Sequence, residues 1–81
     1  MKADVTQDKI DRLKLKLAMK IKDHKDNLGL TQSEIASQAR TTQPRISKIL
    51  NGEFYSISVE DLIKINLRVG TGLRLIDLAE K

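Results

Sequence analysis

The sequence predicts one all-α domain of four to five helices, on the strength of its length and composition. Its 81 residues suffice for one domain with one modest core, so we treat residues 1–81 as a single domain. Hydrophobic residues make up 40% of the chain, which argues against disorder. One Pro and four Gly favour helices over a turn-rich sheet. With one Phe, one Tyr and no Trp, the core must be mainly aliphatic.

The first helix is predicted to begin near Thr6 to Asp8 and to end at Asn27 or Leu28. Apolar residues, joined by one histidine, recur at spacings of three and four along one face. That face comprises Ile10, Leu13, Leu17, Ile21, His24 and Leu28. Gly29 then supplies a left-handed stop.

The second helix has the clearest start signal. Thr31 and Glu34 are spaced as a capping box, in which the cap side chain and the third helical residue satisfy each other's backbone N–H groups. Leu30 and Ile35 are placed to form a hydrophobic staple across this start. The helix is predicted to end at residues 38–39.

The third helix is predicted to follow a turn at Arg40–Thr41, with Thr42 as its N-cap and Leu50 near its end. Pro44 lies in its first turn, where a missing N–H costs little. Asn51–Gly52 is a strong turn dipeptide that ends the helix. The inward residues are Ile46, Ile49 and Leu50.

Ser58 is predicted to cap the fourth helix, with Asp61 as the shorter acid of a second capping box, and Gly70 to stop it. Its core stripe comprises Leu62, Ile65 and Val69. In the tail, residues 71–81, the segment Leu73–Leu78 alternates in a way that suits a strand, and a short fifth helix suits it nearly as well.

The outward face and N-terminal tip of the third helix carry side chains that suit DNA. They are Gln43, Pro44, Arg45, Ser47 and Lys48, and no acid is among them. An amide suits adenine, a cation suits guanine, and a hydroxyl suits either. The N-terminus of the helix adds free N–H groups and positive dipole for phosphate. Lys and Arg exceed Asp and Glu by 15 to 11, which fits a polyanionic partner.

Residues 30–52, LTQSEIASQARTTQPRISKILNG, resemble the helix-turn-helix of the Cro and phage-repressor family, also called the XRE family. Matching features include Ile35–Ala36, Thr41–Pro44, Ile46–Ser47 and Asn51–Gly52. Within that family the chain is most similar to small regulators that include HigA-like antitoxins. The resemblance implies a lambda-repressor-like DNA-binding domain.

The resemblance also implies a role for each matching position. Gln32 would contact a phosphate, while Gln43, Pro44 and Lys48 would approach base edges. Arg45 and Ser47 would read bases or grip the backbone. Asn51 and Gly52 would bring backbone N–H groups to the opposite phosphate strand. The expected DNA-binding set is therefore Gln32, Thr42, Gln43, Pro44, Arg45, Ser47, Lys48 and Asn51.

Two residues depart from the family pattern in the turn between the second and third helices. Arg40 stands where the family usually has Gly, and Thr41 replaces the usual Val or Ile. The turn position often needs positive φ, which costs a non-glycine residue about 1–2 kcal/mol. Either the turn differs slightly, or Arg40 accepts the strain.

The leading hypothesis is a transcriptional regulator, a repressor that blocks a promoter as a homodimer bound to double-stranded DNA. One recognition helix buries too little surface for tight specific binding, so such proteins usually pair. Leu73–Leu78 is the candidate pairing segment. The alternative is an antitoxin that neutralises a toxin protein and also regulates its own promoter.

Other classes of function are disfavoured. One histidine, no cysteine and no glycine-rich phosphate loop or paired carboxylates argue against an enzyme, a cofactor or a metal site. His24 is expected to be a partly buried packing residue. The scarcity of aromatic residues disfavours RNA binding. No signal peptide or membrane span is evident, so a cytoplasmic protein is expected.

Overall fold

The computed structural model describes residues 5–74 and places four α-helices in them. These are α1 (Val5–Leu28), α2 (Gln32–Ala39), α3 (Gln43–Leu50) and α4 (Val59–Val69). No strand occurs among residues 5–74, and the predicted all-α class is confirmed. The strand or fifth helix proposed for Leu73–Leu78 lies, from residue 75 onwards, outside the described residues.

Side-chain caps start the three shorter helices where the sequence predicts them. Thr31 Oγ1 accepts a hydrogen bond from the Glu34 N–H at 3.0 Å, and Glu34 Oε1 accepts from the Thr31 N–H at 2.8 Å. This reciprocal pair confirms the predicted capping box. Thr42 caps α3 and Ser58 caps α4 in the same way, each accepting from the N–H three residues later.

The core lies where α1 crosses α4 and where α2 packs against α3 and α4. It is mainly aliphatic, as predicted, with Phe54 as its aromatic member. The buried apolar residues are Leu17, Ala18, Ile21, Ile35, Ala36, Ala39, Ile46, Ile49, Phe54, Ile57, Leu62, Ile65 and Val69. Leu73 is half-buried against this cluster.

Among residues 5–74 the core also holds one polar side chain, which was not predicted from the sequence. Asn66 is fully buried on α4. Its Nδ2 donates to the Leu17 carbonyl of α1 at 3.2 Å and to the Leu62 carbonyl at 2.8 Å. The Thr71 hydroxyl donates to Asn66 Oδ1 at 2.6 Å. Asn66 therefore ties α1, α4 and the segment after α4 together with its hydrogen bonds satisfied.

The prediction of the apolar face of α1 is confirmed in the middle of the helix and is wrong at its C-terminal end. Leu17 and Ile21 are buried and His24 is half-buried, as expected. Leu28 is 61% exposed, because α1 ends at this residue and the chain turns inward after it. Leu30 packs against the core instead, with its N–H bonded to the Lys25 carbonyl at 2.9 Å.

Arg40 accepts the strained conformation at the turn. Its φ is 58° and its ψ is 44°, and it is the one non-glycine residue with positive φ among residues 5–74. The turn closes through its N–H, which donates to the Ser37 carbonyl at 3.2 Å, and through the Thr41 N–H, which donates to the Ala36 carbonyl at 3.0 Å. The turn therefore keeps the left-handed geometry that favours glycine.

Replacing Arg40 with glycine should raise the free energy of unfolding by about 1 kcal/mol. Glycine removes the left-handed penalty, although the greater freedom of the unfolded chain offsets part of the gain. Chemical denaturation measures the change. Arg40→Ala is the matched control, because it truncates the side chain and keeps the strain. Equal stabilities of the glycine and alanine variants would show that the turn stores no such strain.

Candidate nucleic-acid interface

The face of α3 that the sequence predicts to bind DNA, here called the recognition face, is set by two buried isoleucines on the other side of the helix. Ile46 and Ile49 are 0% and 2% exposed, and they hold this eight-residue helix against the core. An α-helix turns about 100° per residue, so a buried pair on one side leaves the opposite side in solvent. Pro44 and Lys48 are exposed on that side, and Gln43 is exposed at the N-terminal tip of the helix.

The structure places all eight predicted contact residues outside the core. Five of them are exposed, namely Thr42, Gln43, Pro44, Lys48 and Asn51. The other three are half-buried, namely Gln32, Arg45 and Ser47. Four of the eight line one open cleft of about 360 Å³ beside the loop that precedes α4. The cleft-lining residues are Thr42, Pro44, Arg45, Lys48, Ser56 and Ile57. Gln32 stands apart from this cleft, at the first position of α2.

The electrostatics of this face favour an anion. α3 carries no acidic residue, and Lys48 lies in its last turn. The first-turn N–H groups of a helix have no partner within the helix, so the starts of α2 and α3 both offer donors and positive dipole. In α3, the Thr42 hydroxyl accepts from the Arg45 N–H, and Pro44 has no N–H. Among the first three residues of α3, the Gln43 N–H therefore remains to donate to an anion.

The end of α3 differs from what the resemblance implied for backbone donors. The Asn51 N–H donates to the Ser47 carbonyl at 3.0 Å, and the Gly52 N–H contacts the Ile49 carbonyl at 3.4 Å. The Asn51 side chain folds back, with Nδ2 donating to Ser47 Oγ at 3.3 Å. Both backbone N–H groups are therefore engaged within the protein, the Gly52 one more weakly.

Comparison with known families fits this geometry. A family model described as a helix-turn-helix domain matches residues 2–75. The chain belongs to this helix-turn-helix family. No curated protein and no solved structure is detectably similar to it. In helix-turn-helix proteins the second helix of the pair lies in the major groove and the first crosses the backbone.

Two contacts of this helix-turn-helix domain were missed by sequence reasoning. Arg45 Nη2 donates to Asp61 Oδ2 of α4 at 2.7 Å, although Arg45 was expected to face DNA. The one hint in the sequence is that Asp61 is too short for an ideal capping box. Lys14 of α1 donates to the Tyr55 carbonyl at 2.7 Å, which anchors the loop after α3. No local pattern signals that second contact, because the partners are far apart in the chain.

No group of three or more His, Asp or Glu side chains in residues 5–74 is placed to hold a metal ion. None of the four helices is long and apolar enough to cross a membrane. His24 lies at an open cleft on the far half of α1, beside Lys20 and Thr71.

Proposed function

We propose that this helix-turn-helix domain is a sequence-specific transcriptional regulator of the XRE type, a repressor that reads the major groove with α3. The observation that carries the proposal is the exposed face of α3, which presents polar and cationic groups and no acid. Gln43 suits adenine, Lys48 suits guanine, and Pro44 offers an apolar contact for a thymine methyl group. Gln32, at the start of α2, suits a phosphate.

The repressor would act as a homodimer. An eight-residue recognition helix buries too little surface for tight specific binding. A two-fold pair would place two α3 helices in successive major grooves, about 34 Å apart. The segment Leu73–Leu78 remains our candidate for pairing, supported by its run of apolar residues.

Amide chemical-shift mapping during titration with duplex DNA tests the proposed surface. We expect the largest shifts at the start of α2, along α3 and in the 51–58 loop, with affinity falling as salt rises. Absence of duplex binding at low salt would contradict DNA binding itself. Shifts centred on the outer face of α1 would contradict the use of α3.

Gln32→Ala should weaken binding to every duplex by the same factor, about fivefold to tenfold, since phosphate contacts carry little base information. Fluorescence anisotropy measures two affinities, one for the selected site (the duplex most enriched by binding selection from a random DNA pool) and one for a random duplex. Gln38→Ala is the matched control, because Gln38 is exposed further along α2 and should leave both affinities unchanged. A loss restricted to the selected site would instead make Gln32 a base reader.

An antitoxin is the second candidate, favoured by an apolar patch on α1. Leu15 and Met19 are 45% and 46% exposed, and they line an open cleft of about 410 Å³ with Lys16, Lys20 and Asp23. Large contiguous apolar patches mark protein-binding surfaces, and Leu15 and Met19 would form the centre of such a surface. Co-expression with a toxin-like reading frame next to this gene tests the idea. Leu15→Glu should abolish co-purification and spare DNA binding, and failure of the intact pair to co-purify would overturn the candidate.

A further inference from the structure

Arg45 and Asp61 link the two helix starts that border the recognition face. Arg45 is the third residue of α3 and Asp61 is the third residue of α4. The guanidinium Nη2 and the carboxylate Oδ2 lie 2.7 Å apart, and the side chains are 38% and 44% exposed. A charge-assisted hydrogen bond of this length is a strong one.

Asp61 of α4 and Glu34 of α2 occupy the same capping-box position, but their carboxylates bond to different partners. In α2, the Glu34 carboxylate turns back to the N–H of its own cap residue, Thr31. In α4, Ser58 accepts from the Asp61 N–H at 3.1 Å, but the shorter Asp61 carboxylate reaches Arg45 of another helix. The acid at this capping-box position therefore bonds to Arg45 of α3, sixteen residues away in the chain.

Asp61 is also the single acid among the described residues that line a small basic cleft, where Lys64 pairs with Glu60 of α4 at 3.2 Å. This cleft of about 140 Å³ separates the α2–α3 turn from α4. Its charged lining residues are Arg40, Arg45, Asp61, Lys64 and Arg68. Arg45 borders both this cleft and the larger cleft on the recognition face. Loss of the Asp61 charge would therefore leave an unneutralised guanidinium at the edge of the proposed DNA-binding surface.

We propose that Asp61 limits sequence-independent DNA binding by neutralising Arg45, so that Arg45 does not add to the attraction for phosphate. The inference rests on the proposed function, since it concerns DNA bound at α3. Sequence-independent affinity comes from cations that neutralise phosphates and release counterions. When Arg45 is ion-paired with Asp61, it neutralises no phosphate and releases no counterion. Asp61 thereby lowers the sequence-independent part of DNA binding.

The test compares how steeply binding to a random duplex depends on salt. For Asp61→Asn we expect the slope of log K against log salt to steepen by about 0.9, and affinity at 0.15 M salt to rise about fivefold. Asp26→Asn is the matched control. Asp26 pairs with Lys22 on α1 at 3.0 Å with side chains 52% and 49% exposed, so the same charge is removed from a similar pair away from α3.

A further variant separates neutralisation of Arg45 from a change in total charge. The double variant Arg45→Ala/Asp61→Asn removes both charges of the pair, so its slope should return to the wild-type value. Circular dichroism shows that each variant is folded.

The outcomes distinguish this inference from the proposed function. Wild-type binding with parallel salt plots for Asp61→Asn and Asp26→Asn would overturn neutralisation by Asp61 and leave the regulator proposal standing. A flatter slope for the double variant than for the wild type would also overturn it, because Arg45 would then contact phosphate directly. Failure of the wild-type protein to bind any duplex would overturn both.

Discussion

Replacing Ile46 with alanine should lower the free energy of unfolding by about 2–5 kcal/mol. Ile46 is fully buried, and the change removes buried methyl groups and leaves a cavity. Helices as short as α3 are not stable alone, so this one depends on its packed face. The loss would be a large share of the 5–15 kcal/mol typical of small domains.

Urea denaturation followed by circular dichroism measures the effect. Leu67→Ala is the control, since Leu67 on α4 is 63% exposed and its truncation should change the stability by less than about 0.5 kcal/mol. A loss below about 1 kcal/mol for Ile46→Ala would contradict the placement of α3 on the core. DNA binding by this variant should fall in step with the folded fraction.

Replacing Lys48 with alanine should weaken binding to the selected site by about 1–3 kcal/mol and relax the preference at one base pair. Lys48 is exposed on the recognition face, and unlike Arg45 it has no acidic partner among residues 5–74. Its charge is therefore available to the DNA.

Two readouts are needed for Lys48, namely the affinity and the sequence preference. Lys9→Ala removes the same charge from the exposed start of α1 and should leave the sequence preference intact. Unchanged affinity and preference for Lys48→Ala would remove Lys48 from the base-reading set. A uniform loss across all duplexes would make it a phosphate contact instead.

The helix starts could be predicted because their causes are local. Thr31, Thr42 and Ser58 each cap through an N–H three residues later, and such contacts follow from spacing alone. The buried face of α3 follows from helical periodicity in the same way. Gly70, with φ of 83°, ends α4 at the predicted place.

The contacts that escaped prediction join distant parts of the chain. The local pattern predicts that Asp61 closes its own capping box, but Arg45 of α3 competes for the carboxylate. Periodicity places Asn66 on the buried stripe of α4, but it cannot show that the amide meets the Leu17 carbonyl of another helix. Periodicity places Leu28 on the apolar face, yet cannot show where the neighbouring helices stop. Tertiary packing decided all three.

Selection of bound duplexes from a random DNA pool, at near-physiological salt, is the most direct test of sequence reading by α3. We expect a two-fold symmetric motif with half-sites about one helical turn apart. Gln43→Ala should change the preference at one position in each half-site. Weak, salt-sensitive binding with no enriched motif would contradict sequence reading by α3, and would favour a protein partner as the main ligand.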